Sequence, residues 1–445
     1  MATGVSTLHP AMSGIRRAEW QLMRDCMDGE GAIKGRGVEY LACPSGFKTQ
    51  SDGGAAAYSA YLNRAQFPEM LAPSVAAMIG IIHGQEIVPE LPNGLAYLYE
   101  NADGDGLPLE AFHRRITREL LVIGGYAVLT DAPEGGGDPY LSGFSRDRLI
   151  NWDTDFFVLD ETRPARDGFV WKQIERYRVM LLEPYGFVPY MYLPDSLTGE
   201  EIRVRARGGG FLPRIPFAVG NALDLSPRIE SPPLIGVARA ALAMYQLSAD
   251  YRHQLYMSGQ ETLVAIDGPA PAAVGAGVVH QMMGTPTNKP DLKYVSPTCS
   301  GIEAHERAMA MQREAAVMAG ARLFENAVAQ ESGEAKRLRY ASETATLMSI
   351  AQSSCLLLER ALKNAAMIAG LPEDDIVVPV PTDLMDRTMS PQDFAALFGV
   401  YRDGGMSWDT FFANGQRGGV FSPEDTAEDE AARLDRAALP NDEVV

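Results

Sequence analysis

Two stretches decide how the rest of the chain is read: residues 232–259 (PPLIGVARAALAMYQLSADYRHQLYMSG) and residues 302–327 (IEAHERAMAMQREAAVMAGARLFENA). Pro232-Pro233 suits a first helical turn and Gly259 ends the run. A helix of about 25 residues is therefore predicted over Leu234–Ser258, roughly 37 Å long. Val237, Ala241, Met244, Tyr251 and Leu255 form its apolar stripe. In the second stretch Ile302, Met309, Ala316 and Leu323 repeat at heptad spacing, which predicts a helix to about Ala327. Both helices carry small residues (Ala240, Ala241, Ala243; Ala308, Ala310, Ala315, Ala316, Ala319) that allow close approach of a neighbour. The 42 residues between them are rich in Pro and Gly, with short β runs at Leu263–Ile266 and Lys293–Ser296. Two arrangements fit: an αα-hairpin inside a helical domain, or helices that pack against copies of themselves in a ring with the insert projecting at one end.

On the C-terminal side, residues 328–339 (VAQESGEAKRLR) are polar. A third long helix is predicted from about Tyr340 to Ala369, with Leu347, Ile350, Leu357, Ala361, Ala365 and Ile368 on one stripe. Gly370 and Pro372 stop it. Ile376–Val380 reads as a short strand. Ser390, Ser407 and Ser422 each precede acidic residues as helix caps. Residues 421–445 hold eight acids against Arg433 and Arg436, a short helix followed by a disordered acidic tail.

On the N-terminal side, residues 1–50 are weakly patterned. Ala55–Ala65 and Glu69–His83 read as helices separated by Pro68. Leu109–Ile123 reads as an amphipathic helix, with Phe112, Ile116, Leu120 and Ile123 on one face. Gly124-Gly125 ends it before a strand at Tyr126–Thr130. Residues 139–220 are β-rich, with candidate strands Phe156–Leu159, Phe169–Ile174, Arg178–Leu182, Val188–Leu193 and Ile202–Ala206, spaced as an antiparallel meander. The fold class expected is α+β, mainly α.

The chain has 445 residues and a net charge of −19. Proteins that grip duplex DNA by neutralising phosphates are normally basic, so tight non-specific binding over the whole surface is excluded, though passage of DNA is not. Cys26, Cys43, Cys299 and Cys355 lie far apart without CxxC spacing, which predicts reduced thiols rather than a disulfide scaffold or structural zinc. The N-terminus has no apolar h-region. The most apolar stretch, 70–82, is short of the roughly 20 residues needed to cross a bilayer. A soluble, intracellular product is expected.

Motifs for catalysis are lacking. Gly46-Phe47-Lys48-Thr49 is not a P-loop, and Gly29–Gly35 is one residue too long for a dinucleotide fingerprint. Asn101, Asp103 and Asp105 imitate half a calcium loop, but Phe112 stands where the bidentate Glu belongs, so a turn and cap for the following helix is expected. None of the six histidines makes HExxH, and no GxSxG elbow exists. No catalytic residue, metal ligand or cofactor is assigned. A hydrolase with a dispersed carboxylate site remains an alternative without a supporting motif.

Several segments together resemble the tailed-bacteriophage portal proteins, in the prophage-type family formerly described as a domain of unknown function. They are residues 109–133 (LEAFHRRITRELLVIGGYAVLTDAP), Leu149-Ile150-Asn151-Trp152, Pro233–Tyr256, Met318–Leu323, Glu343-Thr344-Ala345-Thr346, and Met389–Gly419. The likeness covers residues from about 40 to 435 and rests on the order of the segments. It implies an N-terminal arm, partly flexible, at 1–40; a wing at 41–232; stem helices at 233–259 and 302–327; a small α/β clip at 260–301; a tunnel loop at 328–339; a long wing helix at 340–370; and a small crown at 371–445.

The resemblance further implies a non-enzymatic, twelve-fold ring at one capsid vertex of the virion, assembled in the bacterial cytoplasm. Double-stranded DNA would pass through it during packaging and ejection. Partners would be the terminase large subunit, head-completion or adaptor proteins, and the major capsid protein. Channel candidates are then Gln330, Glu331, Ser332, Glu334, Lys336, Arg337 and Arg339 in the tunnel loop, and Glu303, Glu306, Arg307, Arg313 and Glu314 in the stem. Pro269, Pro271, His280, Lys289 and Lys293 are the clip candidates for partner docking. Lys336, Arg337 and Arg339 depart from a uniformly acidic lumen and either touch DNA or pair with a neighbour's carboxylates. The alternative is a head–tail adaptor or capsid structural protein that does not encircle DNA.

Overall fold

A computed structural model describes residues 4–49, 51–84, 87–133, 137–194, 198–259, 261–274, 278–295, 301–320, 333–381, 391–422 and 425–438; at 333–345, 391–393, 417 and 434–438 it describes the backbone alone. The chain divides into two units, Met1–Thr382 and Asp383–Val445.

Within the weakly patterned N-terminal residues of the first unit, α1 (Gly14–Asp28) forms behind Ser13, whose Oγ accepts the Arg16 N–H. Trp20, Leu22, Met23 and Cys26 are buried, and the Trp20 indole donates to the Ile123 carbonyl at 3.0 Å. Two of the six buried residues are charged: Asp25 binds Arg36 at 2.8 Å and Tyr40 at 2.6 Å, and Glu19 takes Arg239 at 2.6 Å. Those charges break the apolar periodicity on which a sequence reading depends. A short α2 (Glu30–Gly35), α3 (Ala55–Arg64) and α4 (Leu71–Ile82) follow, then α5 (Leu109–Val122) on the predicted amphipathic face. The turn at 101–107 is a turn without a cap: Asn101 and Asp103 side chains accept backbone N–H groups of Gly106 and Leu107, while Pro108 precedes α5 with no side-chain bond.

β1 (Gly125–Asp131) is buried along its whole length. It pairs antiparallel with β2 (Tyr140–Ser145) on one side and with β10 (Phe217–Asn221) on the other. The second sheet runs β3-β4-β7-β8-β9: β3 (Leu149–Trp152), β4 (Phe156–Asp160), β7 (Tyr177–Glu183), β8 (Gly186–Tyr192) and β9 (Glu200–Glu201), all antiparallel as the spacing predicts. A separate hairpin, β5 (Arg163–Asp167) with β6 (Val170–Ile174), is inserted between β4 and β7. Ala127, Leu129, Leu149, Leu159, Met180, Phe187, Leu212, Phe217 and Ile368 share one core that joins both sheets to a long helix.

Ile202–Ala206 is not the strand expected. The Ile202 N–H reaches the Pro189 carbonyl, but Pro189 has no N–H to return, so the ladder stops at β9. Val204 turns inward and is buried instead.

α6 (Ile235–Ser258) and α7 (Ile302–Met318) form the predicted pair. Between them β11 (Thr262–Ile266) and β12 (Asp291–Val295) form an antiparallel hairpin, and no helix occurs among the described residues of this insert, so the expected α/β clip is β alone there. α7 ends at Met318 rather than Ala327. Gly320 takes φ +129°, a conformation outside the helix, and an added Cβ there would lie 2.8 Å from Leu234 Cδ2, so only glycine fits the exit. Residues 321–327 lie outside the described set. α8 (Gly333–Ala369) starts seven residues before the predicted Tyr340, so 333–339 is helical rather than loop; its Ala, Lys, Arg and Leu residues are strong helix formers. α8 packs on α5, β1 and β10, and Thr130 Oγ1 donates to the Ala361 carbonyl at 2.9 Å. The expected strand at 376–380 is a single bridge, Glu90 with Val377.

The second unit holds α9 (Pro391–Arg402), α10 (Trp408–Arg417) and α11 (Ala427–Ala438). Phe394, Phe398, Tyr401, Trp408, Phe411, Phe412 and Phe421 make one aromatic cluster. Ser407 caps α10 as expected. For α11 the cap moves from Ser422 to Thr426, whose Oγ1 accepts the Asp429 N–H at 3.1 Å.

Candidate stem and clip surface

The residues assigned to stem and clip lie on α6, α7 and the β11–β12 hairpin. α6 is buried in its first half, at Val237, Ala238, Ala240, Ala241, Tyr245, Ser248 and Ala249. Toward Ser258 it emerges: Leu255, Tyr256 and Met257 are exposed. α7 runs beside it, and of its 17 residues only Ala316 is buried. The small residues bring the helices together. An added Cβ on Gly236 would stand 2.7 Å from Ala319 Cβ, and one on Gly301 would stand 3.3 Å from the Gln254 amide. Polar clasps span the pair: Tyr251 donates to Glu306 at 2.9 Å, and Gln254 meets His305 at 3.3 Å. The far half of α6 is tied to α3 by Tyr61 donating to Asp250 at 2.6 Å, and Arg64 sits 3.7 Å over the Tyr256 ring.

Of the predicted heptad stripe, Ile302 and Met309 are half-buried and Ala316 is buried, while Leu323 lies outside the described residues. Glu303, Glu306, Arg307, Arg313 and Glu314 are all exposed. Arg307 pairs with Glu303 one turn away at 3.6 Å. Met311 and Met318 are exposed among them, at 69% and 72%. The face of α7 opposite α6 is thus mixed charge with an apolar component, not a uniform acidic wall.

In the insert, β11 and β12 pair from Thr262↔Val295 to Ile266↔Asp291. Asp267, at φ 51°, turns the chain out of β11. A tight turn follows at Thr285–Asn288. Pro269, Lys289 and Lys293 are exposed, and Pro271 and His280 are half-buried. Exposed beside them are Val279, Met283 and Tyr294. The clip candidates therefore share an apolar surface dotted with lysines. Gln330, Glu331 and Ser332 lie outside the described residues. Glu334, Lys336, Arg337 and Arg339 lie on the first turns of α8.

Two clefts in the first unit were not found from sequence. One, of about 470 Å³, is lined by His83, Glu110, His113, Tyr99 and Leu358. The imidazoles meet edge to face, 4.8 Å between centroids; His83 bonds Thr117 and His113 bonds Ser354. Burial holds His83 down to about 4 and His113 to about 3, so both rings are neutral. The other, of about 910 Å³, lies between the 101–105 turn, β2 and the β4–β7 edge. Three of its four arginines are matched: Arg178 bridges Asp131 and Glu161, Arg176 takes Glu161, and Arg148 takes Asp160; the fourth, Arg163, opens β5. Arg146 is buried with its guanidinium on the Leu149 and Pro227 carbonyls and over the Trp152 ring, and burial pulls it down to about 10.

No group of His, Cys, Asp and Glu among the described residues could hold a metal ion, and no described helix is long and apolar enough to cross a membrane.

Residues 233–369, from α6 to the end of α8, match a family described as Domain of unknown function (DUF4055). No curated protein matches significantly. Among solved structures, the chain is similar to one titled "Neck of native GTA particle computed with C12 symmetry", at 14% identity and a TM-score of 0.38, over 77% of this chain and 88% of that one. It is also similar to "Neck of empty GTA particle computed with C6 symmetry", at 13% identity and a TM-score of 0.41, over 76% and 86%.

Proposed function

We propose that this chain is the subunit of a portal-type ring at one vertex of a phage-like capsid, a conduit for double-stranded DNA during packaging and ejection. One observation carries the reading. α6 leaves the core of the first unit, runs out beside α7 and bears the β11–β12 hairpin at its far end, while both helices keep apolar side chains in water. Leu255, Tyr256, Met257, Met311 and Met318, exposed on these two helices, are a surface built for neighbours. Copies packed side by side about an axis would cover it and complete a stem, with the hairpins as a clip. The matched residues 233–369 span this same stem, clip and long helix.

In this reading the clip surface around Pro269, Lys289 and Lys293 docks the packaging motor's large subunit and later the head-completion protein, and the first unit faces the major capsid protein. The ring catalyses nothing; ATP is consumed by the motor. A charge of −19 on every copy keeps the assembly from holding DNA phosphates, which a conduit must release. Class averages of the purified protein by negative-stain electron microscopy test the reading. The expected result is closed rings with a central opening of roughly 20 Å or more, a duplex width. A monomer would overturn it, and rings without such an opening would move the function to an adaptor that does not encircle DNA.

A further inference from the structure

The β5–β6 hairpin serves no purpose in the fold of its own chain. The β4–β7 ladder closes without it: Asp160 pairs with Tyr177, and the Glu161 N–H reaches the Arg176 carbonyl at 2.9 Å. Residues 163–174 are an excursion from that closed ladder. A two-stranded hairpin alone is at best marginally stable in water. This one is nevertheless exposed at every position but Ala165 and holds its apolar side chains out: Phe169 is 94% exposed, Trp171 67% and Val170 60%. Its charges are Arg163, Arg166 and Lys172 against Asp167, a net +2 on a chain of −19; Lys172 pairs with Asp167 at 2.6 Å, and Arg163, at the base of the hairpin, lines the cleft of about 910 Å³ on its own chain.

A complementary surface exists on the same chain. The cleft of about 910 Å³ has a rim of Asp103, Asp105 and Asp138 over Tyr97, Tyr140 and Phe144. Its arginines Arg148, Arg176 and Arg178 are already neutralised by Asp160, Glu161 and Asp131, whereas Asp105 and Asp138 are exposed and have no cationic partner among the described residues. Phe169 and Trp171 do not line it. An aromatic, cationic finger and an acid-rimmed, aromatic-floored cleft on one chain, each uncovered, form a head-to-tail pair.

We propose that the β5–β6 hairpin of one copy seats in the acid-rimmed cleft of a second copy. The contact deepens the ring reading but stands or falls separately from it, because a head-to-tail contact can also grow an open chain. Replacing residues 163–174 by Asn-Gly supplies a two-residue hairpin turn and leaves the ladder closed, so the variant folds. Its sedimentation velocity, and that of Phe169→Ser/Trp171→Ser, should show association only at protein concentrations at least tenfold above wild type. Arg166→Glu/Lys172→Glu and Asp105→Lys/Asp138→Lys should each stay monomeric alone. An equal mixture of the two should associate, since every junction then joins opposite charges again.

Unchanged association of the Asn-Gly variant, no rescue in the mixture with both partners folded by circular dichroism, or a monomeric wild type would overturn the proposal. Closed rings from the Asn-Gly variant would overturn it while leaving the ring reading intact. Rescued association that yields open chains would support it and count against the ring.

Discussion

Trp20 shows how much of the first unit depends on single residues that a linear reading passes over. Its ring is 1% exposed and its indole N–H is committed to Ile123, so it pins α1 against the end of α5. Trp20→Ala should cost about 3–5 kcal/mol, read as a lower denaturant midpoint at unchanged slope. His83 and His113 make a prediction of a different kind. Their folded values of about 4 and about 3 lie below the ordinary 6.5. Between those limits the unfolded chain binds more protons, so stability is full above the ordinary value and declines as pH falls through the window. The melting temperature should drop between about pH 7 and about pH 4.5, and His83→Asn/His113→Gln should flatten that drop. Equal slopes would show that the pair stays protonated when folded. Each of these histidines looks isolated in sequence, because 30 residues separate two rings that α4 and α5 bring face to edge.

The long helices were legible as elements because their stripes and stops are local. The apolar spacing of α5, α6 and α8 needs no partner to be seen, and Gly370 marks a stop by its own conformation at φ 69°. What escaped was set by partners distant in sequence. α1 hides its face behind ion pairs to Arg36 and Arg239, β9 ends where Pro189 has no N–H to offer, and α7 gives way at Gly320, whose φ of +129° beside Leu234 leaves room for glycine alone. The stem candidates were legible as exposed charges on α7, but the cross-helix bonds of Tyr251 to Glu306 and of Gln254 to the neighbouring His305 were not. Gly236 supplies the test at this scale. Its hydrogen is all that fits against Ala319, so Gly236→Leu must separate α6 from α7 despite the gain in helix propensity. It should destabilise by about 1–3 kcal/mol in urea unfolding; a neutral result would mean that the pair is loosely packed.

At the scale of the whole molecule, charge and shape make a joint prediction. An assembly of copies at −19 each should fail to retard linear duplex DNA in a native gel at physiological salt, even though DNA is its cargo in the proposed role. Retention there would contradict a conduit. The basic group on the first turns of α8 is the exception to probe within that picture. Arg337→Glu should leave assembly unchanged and lower DNA packaging if the side chain meets phosphate, and unchanged packaging would remove it from the channel. The helix pair has one further consequence. α6 is held at its start by the Gly236–Ala319 contact and again at Asp250, two-thirds of the way along its 24 residues, by Tyr61 of α3. A beam held at two points cannot pivot on the first: only the eight residues past Asp250, about 12 Å, overhang the second hold, and a tilt of about 10° there would carry the tip only about 2 Å. The β11–β12 hairpin therefore rides on a short overhang that keeps its position against small repacking inside the first unit.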